Sequence, residues 1–202
     1  MEIIMIKNNS VMYGLCAVTS LFSANVLADI APEQEVFFDA LRQHWGQAYA
    51  GTITAGEKDD ATFGGKTLVM HVRECSDSVI KIPFHVGEDR SRTWVITKTE
   101  TGLRLKHDHR HKDGSSDVST MYGGHALDAG WPQVQTFPAD QYSKALFVKL
   151  KIPQSIGNSW QMYIYPDTFT YRLTRQGREF RVDFDLTHSI EQPVTPWGYS
   201  EK

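Results

Sequence analysis

The chain has 202 residues, 41% of them hydrophobic and 22% charged, with a formal net charge of −3. That balance suits a folded chain and excludes a disordered polyelectrolyte, and it carries none of the excess positive charge that a nucleic-acid partner or an anionic membrane surface calls for. Two cysteines, Cys16 and Cys75, exclude a disulfide framework.

Residues 1–28 differ from everything after them. Lys7 is their only basic residue, 11–28 carry no charge, and the run closes Val26-Leu27-Ala28 ahead of Asp29. A cationic start, an apolar middle and a small-residue exit predict a secretory signal peptide cleaved after Ala28. Tyr13, Gly14, Thr19, Ser20, Ser23 and Asn25 interrupt the run and make it a poor membrane span. Residues 29–202 are then expected to form one exported domain, periplasmic or secreted, with Cys75 as its sole cysteine. No later stretch is apolar enough to be a transmembrane segment.

Residues 32–49 predict a helix: Pro32 suits a first turn, Glu33 and Glu35 complement the helix dipole, and Phe37, Leu41, Trp45 and Ala48 recur at helical spacing. From there the period becomes two. Residues 66–74, 79–86, 92–99 and 102–110 predict strands joined by short turns, hence antiparallel neighbours. Residues 159–165, 169–175 and 179–186 repeat the pattern, with Phe180, Val182, Phe184 and Leu186 on one face and Arg181, Asp183 and Asp185 on the other. Between them, residues 139–150 fit a helix or a strand, and a short helix behind the turn 137–140 is the better fit. Eight to ten meandering strands after one helix predict a mainly β fold, an antiparallel up-and-down β-barrel, with a two-sheet sandwich as the alternative.

The stretch Lys106-His107-Asp108-His109-Arg110-His111 is the densest in chemistry. Leu103, Leu105, His107, His109 and His111 share one parity and Arg104, Lys106, Asp108 and Arg110 the other, so the leucines should lead His107 and His109 into the barrel. On a strand, residues i and i+2 lie ~6.8 Å apart, so His107 and His109 could share a zinc ion with a ligand from elsewhere, His125 among the candidates. Zinc-dependent hydrolysis would then have Asp108 or Asp117 as outer partner or base. Alternatively the histidines, with Tyr171 and Arg175 on an inward parity and Tyr122 from the following loop, line a polar pocket for a small ligand, anionic when the imidazoles are protonated. A third reading makes them ordinary polar residues of a structural envelope protein. Residues 112–132, rich in glycine and poor in periodicity, predict either a lid that brings Tyr122, His125 and Trp131 over the mouth or a disordered surface excursion. Arg90 and Arg92 sit in a charged turn and could clamp a carboxylate or phosphate, but solvation or internal pairing with Glu88 and Asp89 is the simpler expectation. His71 and His85 have outward parity. No Gly-x-Ser-x-Gly, phosphate loop, CxxC or HExxH is present, so no catalytic residue is selected.

The run from Phe84 to Val95, continuing through 102–110, together with Met121-Tyr122-Gly123-Gly124 and residues 180–186, resembles a group of exported, signal-peptide-bearing proteins of Gram-negative bacteria. The resemblance implies export and implies no activity. The helix-then-meander layout is also similar to lipocalin-like barrels; Trp45-Gly46 reverses the order of their Gly-x-Trp signature, so that likeness is one of architecture.

Overall fold

In a computed structural model, residues 30–56 and 61–201 are described; the predicted signal peptide lies outside them. Helix α1 (Pro32–Arg42) leads into β1 (Ala48–Ala55), β2 (Leu68–His71), the two-residue β3 (Glu74–Cys75), β4 (Val79–Val86), β5 (Asp89–Thr99), β6 (Gly102–His109), β7 (Tyr122–His125) and β8 (Val134–Pro138). Helix α2 (Gln141–Lys149) and a 3-10 turn (Pro153–Gly157) precede β9 (Ser159–Tyr165), β10 (Thr168–Arg175) and β11 (Arg178–Asp185). The strands run β7-β6-β5-β4-β2-β1-β11-β10-β9-β8, every neighbour antiparallel, with β3 attached to β4. The fold is therefore mainly β, a nearly closed antiparallel barrel consistent with a lipocalin-like architecture.

Two helical expectations resolve differently. The predicted helix over 32–49 stops at Arg42, because Gly46 turns the chain at a φ of 82° and its N–H bonds to the Val72 carbonyl at 2.8 Å. Trp45, expected in the core, is 61% exposed, and Ala48 opens a strand. Residues 141–149 are helical as expected, capped by the Asp140 side chain, which accepts the Ser143 N–H at 2.9 Å.

Helix α1 plugs one end of the barrel. Phe37, Phe38 and Leu41 are fully buried there, Gln34 Nε2 donates to the Asp128 carbonyl at 2.9 Å, and Lys98 pairs with Glu35. Inside, Phe84, Trp94, Phe169 and Phe184 fill the lumen, with Trp94 stacked on Tyr171 at 4.5 Å between ring centroids. The lower barrel is thus a packed core.

Closure is completed at β7 and β8, which share no ladder. There the Asp140 N–H donates to the Gly123 carbonyl at 2.9 Å, and the fully buried Ser143 hydroxyl accepts the Gly123 N–H at 2.7 Å while lying 2.8 Å from the Gly123 oxygen. Lys106, from the outer face of β6, pairs with Asp140 across the join. Such backbone proximity requires glycine: a Cβ on Gly124 would stand 1.7 Å from the Pro138 oxygen, and one on Gly123 would stand 2.0 Å from the Leu105 oxygen.

Outside the barrel, residues 190–200 form a strap. The Ile190 N–H donates to the Ala48 carbonyl at 2.8 Å, the Trp197 N–H to Arg90 at 3.1 Å, and Arg73 to the Ser200 carbonyl at 2.6 Å. His71 and His85, outward by parity, are buried.

Candidate functional site at the barrel mouth

The register of β6 decides where the histidines point. It pairs with β5 without interruption from Thr99–Gly102 to Arg92–His109. No bulge inverts the alternation, so Leu103, Leu105 and His107 all face the lumen and are buried. His109 follows on the same face, half-buried at the mouth. His111 lies past the end of the strand, largely exposed, 3.5 Å from Asp117.

His107 is fully committed. Its Nε2 lies 2.8 Å from the Tyr171 hydroxyl and its Nδ1 lies 3.2 Å from the Tyr122 carbonyl. A carbonyl only accepts, so Nδ1 carries the proton and Tyr171 donates to Nε2. Burial, and then the neighbouring His109, lower the His107 pKa to about 3. The ring also stacks on Tyr122 at 4.5 Å and 15°.

Tyr122 reaches this position because β7 places it opposite His107. Residues opposite one another on paired strands share a face, so Tyr122 turns inward; its hydroxyl lies 3.3 Å from His109 Nε2. Burial raises its pKa to about 12 and holds Tyr171 well above the usual tyrosine range, so both phenols are neutral donors at ordinary pH. The His109 pKa falls to about 4, through burial first and then through Arg92 opposite it. The expectation that protonated imidazoles attract an anion is corrected: both rings are neutral near pH 7.

His125 is placed elsewhere. It pairs with Arg104, of the opposite parity to His107, and so faces outward. The lid expected over 112–132 is correspondingly reduced: it contributes strand β7, Trp131 is 71% exposed, and His125 never meets Tyr122. The zinc set His107, His109 and His125 does not come together. Both His107 nitrogens are engaged, and no group of three or more metal-ligating side chains occurs among the described residues. The donor set does not fit zinc, and no hydrolytic step is built on it.

His109, Tyr122, Tyr171 and Arg175 do come together, around a cavity of about 290 Å³ at the open end. His107 lies directly behind it, under Tyr171 and Tyr122. The volume is at the low end of the range typical of small-molecule sites, ~300–1,000 Å³. Phe147, Trp160 and Phe180 supply apolar walls, and Asn158 and Ser155 are polar points within them. Arg175 donates to the Ser155 hydroxyl at 2.9 Å; burial and then the cation of Arg178, its partner across the β10–β11 hairpin, lower its pKa.

Arg92 also lines this space, paired with Asp89 at 2.5 Å and lying over the Phe63 ring. The pairing with Asp89 is the internal one expected of this charged turn; what differs is that the side chain lies inward and not in solvent. Arg92 has the parity of Trp94 and Ile96, both buried in the lumen, and that alternation is the signal in the sequence that places it inward. Among the described residues lining the cavity there is no Asp or Glu.

Fold and site together define a barrel with a filled lumen and a small, cation-bearing cavity at one end. No protein-family model matches the chain, and neither a curated protein nor a solved structure is significantly similar to it.

Proposed function

We propose that this is an exported barrel protein that binds a small polar or anionic molecule at its mouth. One observation carries the reading: a cavity of ligand size at the open end, where His109, Tyr122, Tyr171 and Arg175 converge and, among the described lining residues, there is no carboxylate. Neutral imidazole and phenol groups orient the ligand by hydrogen bonds, and Arg175 supplies the charge. Binding rather than turnover is the simplest chemistry for such a set, because the most deeply placed histidine already spends both nitrogens on the protein. Export rests on residues 1–28, whose composition suits a signal peptide.

The test is native mass spectrometry of protein recovered from its own host, beside an Ile152→Trp variant that fills the cavity. A displaceable organic adduct on the parent and none on the variant is expected. An adduct-free parent, or an adduct that the variant retains, refutes the mouth as a binding site and leaves a structural role. Sequencing the N-terminus of the same material should read from Asp29; a chain starting at Met1 refutes export.

A further inference from the structure

Among the described residues, two groups in the mouth cavity lack a full complement. Arg175 is half-buried, yet among the described residues its hydrogen bond goes to a neutral hydroxyl, Ser155, and its partner across the hairpin, Arg178, is of like charge. A guanidinium withdrawn from water against a second cation costs free energy unless an anion joins it. Asn158 is the second. It is only 7% exposed, it lines the cavity, and its Oδ1 has no hydrogen-bond partner among the described residues. Buried acceptors are nearly always satisfied, so an orphan shielded in the wall of a cavity points to a donor that a ligand pressed into that wall brings. Between these polar points the walls are aromatic, Phe147, Trp160 and Phe180, and flat rings stack on such walls with offset or edge-to-face geometry.

We infer that the ligand is an amphipathic organic anion: a carboxylate held by Arg175, a flat apolar body against the aromatic wall, and a hydroxyl or N–H that donates to Asn158. The inference rests on the mouth being a binding site and narrows what binds there. It differs from an inorganic-anion site, which has no use for the aromatic wall, and from a purely apolar site, which would leave both Arg175 and Asn158 without a complement.

Isothermal titration of the purified protein with four probes separates these cases. The probes are 3-(4-hydroxyphenyl)propionate, its amide, 3-phenylpropionate and inorganic phosphate. The hydroxyaryl carboxylate should bind roughly tenfold tighter than its amide, the scale of one charge-assisted contact. Arg175→Gln should reduce the carboxylate to the level of the amide, while Arg175→Lys keeps most of the preference. Asn158→Leu should abolish the advantage of the hydroxyl over 3-phenylpropionate. Near-ultraviolet circular dichroism of each variant confirms a native core.

Equal binding of carboxylate and amide, or a preference that survives Arg175→Gln, overturns the anion assignment. Phosphate binding as tightly as the aryl acid overturns the role of the aromatic wall. Absence of binding by all four probes overturns the ligand class, whereas the adduct test on host-derived protein judges the mouth as a site independently.

Discussion

Acid should unfold this protein well before its carboxylates titrate. His85 and His107 are both more than nine-tenths buried. Burial is the leading cause that takes His85 to about 4, with Arg90, His71 and Arg73 adding to it, and burial likewise takes His107 to about 3. In the unfolded chain each imidazole titrates near the reference value of ~6.5. Below that pH the unfolded state binds protons that the folded state refuses, so stability is complete above pH ~6.5 and declines as pH falls towards the folded values. Each such histidine withdraws about 1.4 kcal/mol per pH unit, so the two together remove about 4 kcal/mol between pH 6.5 and pH 5. A native domain has only ~5–15 kcal/mol to lose. Asp89, Asp140 and Asp183 also have lowered pKa values and withdraw support only below their ordinary range, at more acidic pH. Urea melts at constant ionic strength from pH 7.5 to 5.0 measure the slope, and His85→Gln should reduce it by about a third, since His109, also held at about 4, adds to it. A stability that is flat or rising as pH falls through this window would show that the imidazoles are not held neutral, and the account of both would fail.

Three further outcomes follow from the packing. Gly124→Ala drives a methyl group against the Pro138 carbonyl and should cost about 3 kcal/mol through overpacking and lost hydrogen bonds at the join, read by the denaturant midpoint; a change under 1 kcal/mol means that the join is not tight. Lys151 occupies a left-handed turn with a φ of 59° just past α2, where the Ile152 N–H caps the Phe147 carbonyl at 2.9 Å. Lys151→Gly should therefore stabilise by about 1 kcal/mol, visible as a higher Tm, and a lower Tm would refute strain at that position. Tyr171→Phe removes the hydroxyl that donates to His107 and should cost about 1–3 kcal/mol, because Nε2 is left buried without a partner. An unchanged urea midpoint would break the proposed hydrogen-bond chain.

Much of this architecture could be read from residue order where side chains are large and regular. The alternation Leu103-Leu105-His107 predicted an inward His107, and the unbroken β5–β6 register realises it. Strand β1 escaped notice because its inward positions are not all bulky: Gly51 stands where a Cβ would meet the Phe184 ring at 2.6 Å. Strand β7 is hidden for a related reason, since Gly123 and Gly124 are chosen for backbone approach rather than for strand propensity. Arg92 misled because an inward arginine contradicts the usual division of polar and apolar faces. His125 misled because parity does not carry across the irregular segment that separates β6 from β7. The neutrality of His107 and His109 is a property of burial and of neighbours distant in sequence, and no local pattern encodes it.

The join between β7 and β8 has a consequence for the life of the chain. In every other neighbouring pair of the barrel, many ladder bonds would have to break together for the strands to part. Here one serine hydroxyl, one amide and one lysine–aspartate pair stand in for a ladder. If that fastening loosens, the barrel becomes an open sheet with two bare borders, each able to recruit a strand from another copy. The same few atoms that let the molecule close around its cavity therefore also keep it from polymerising.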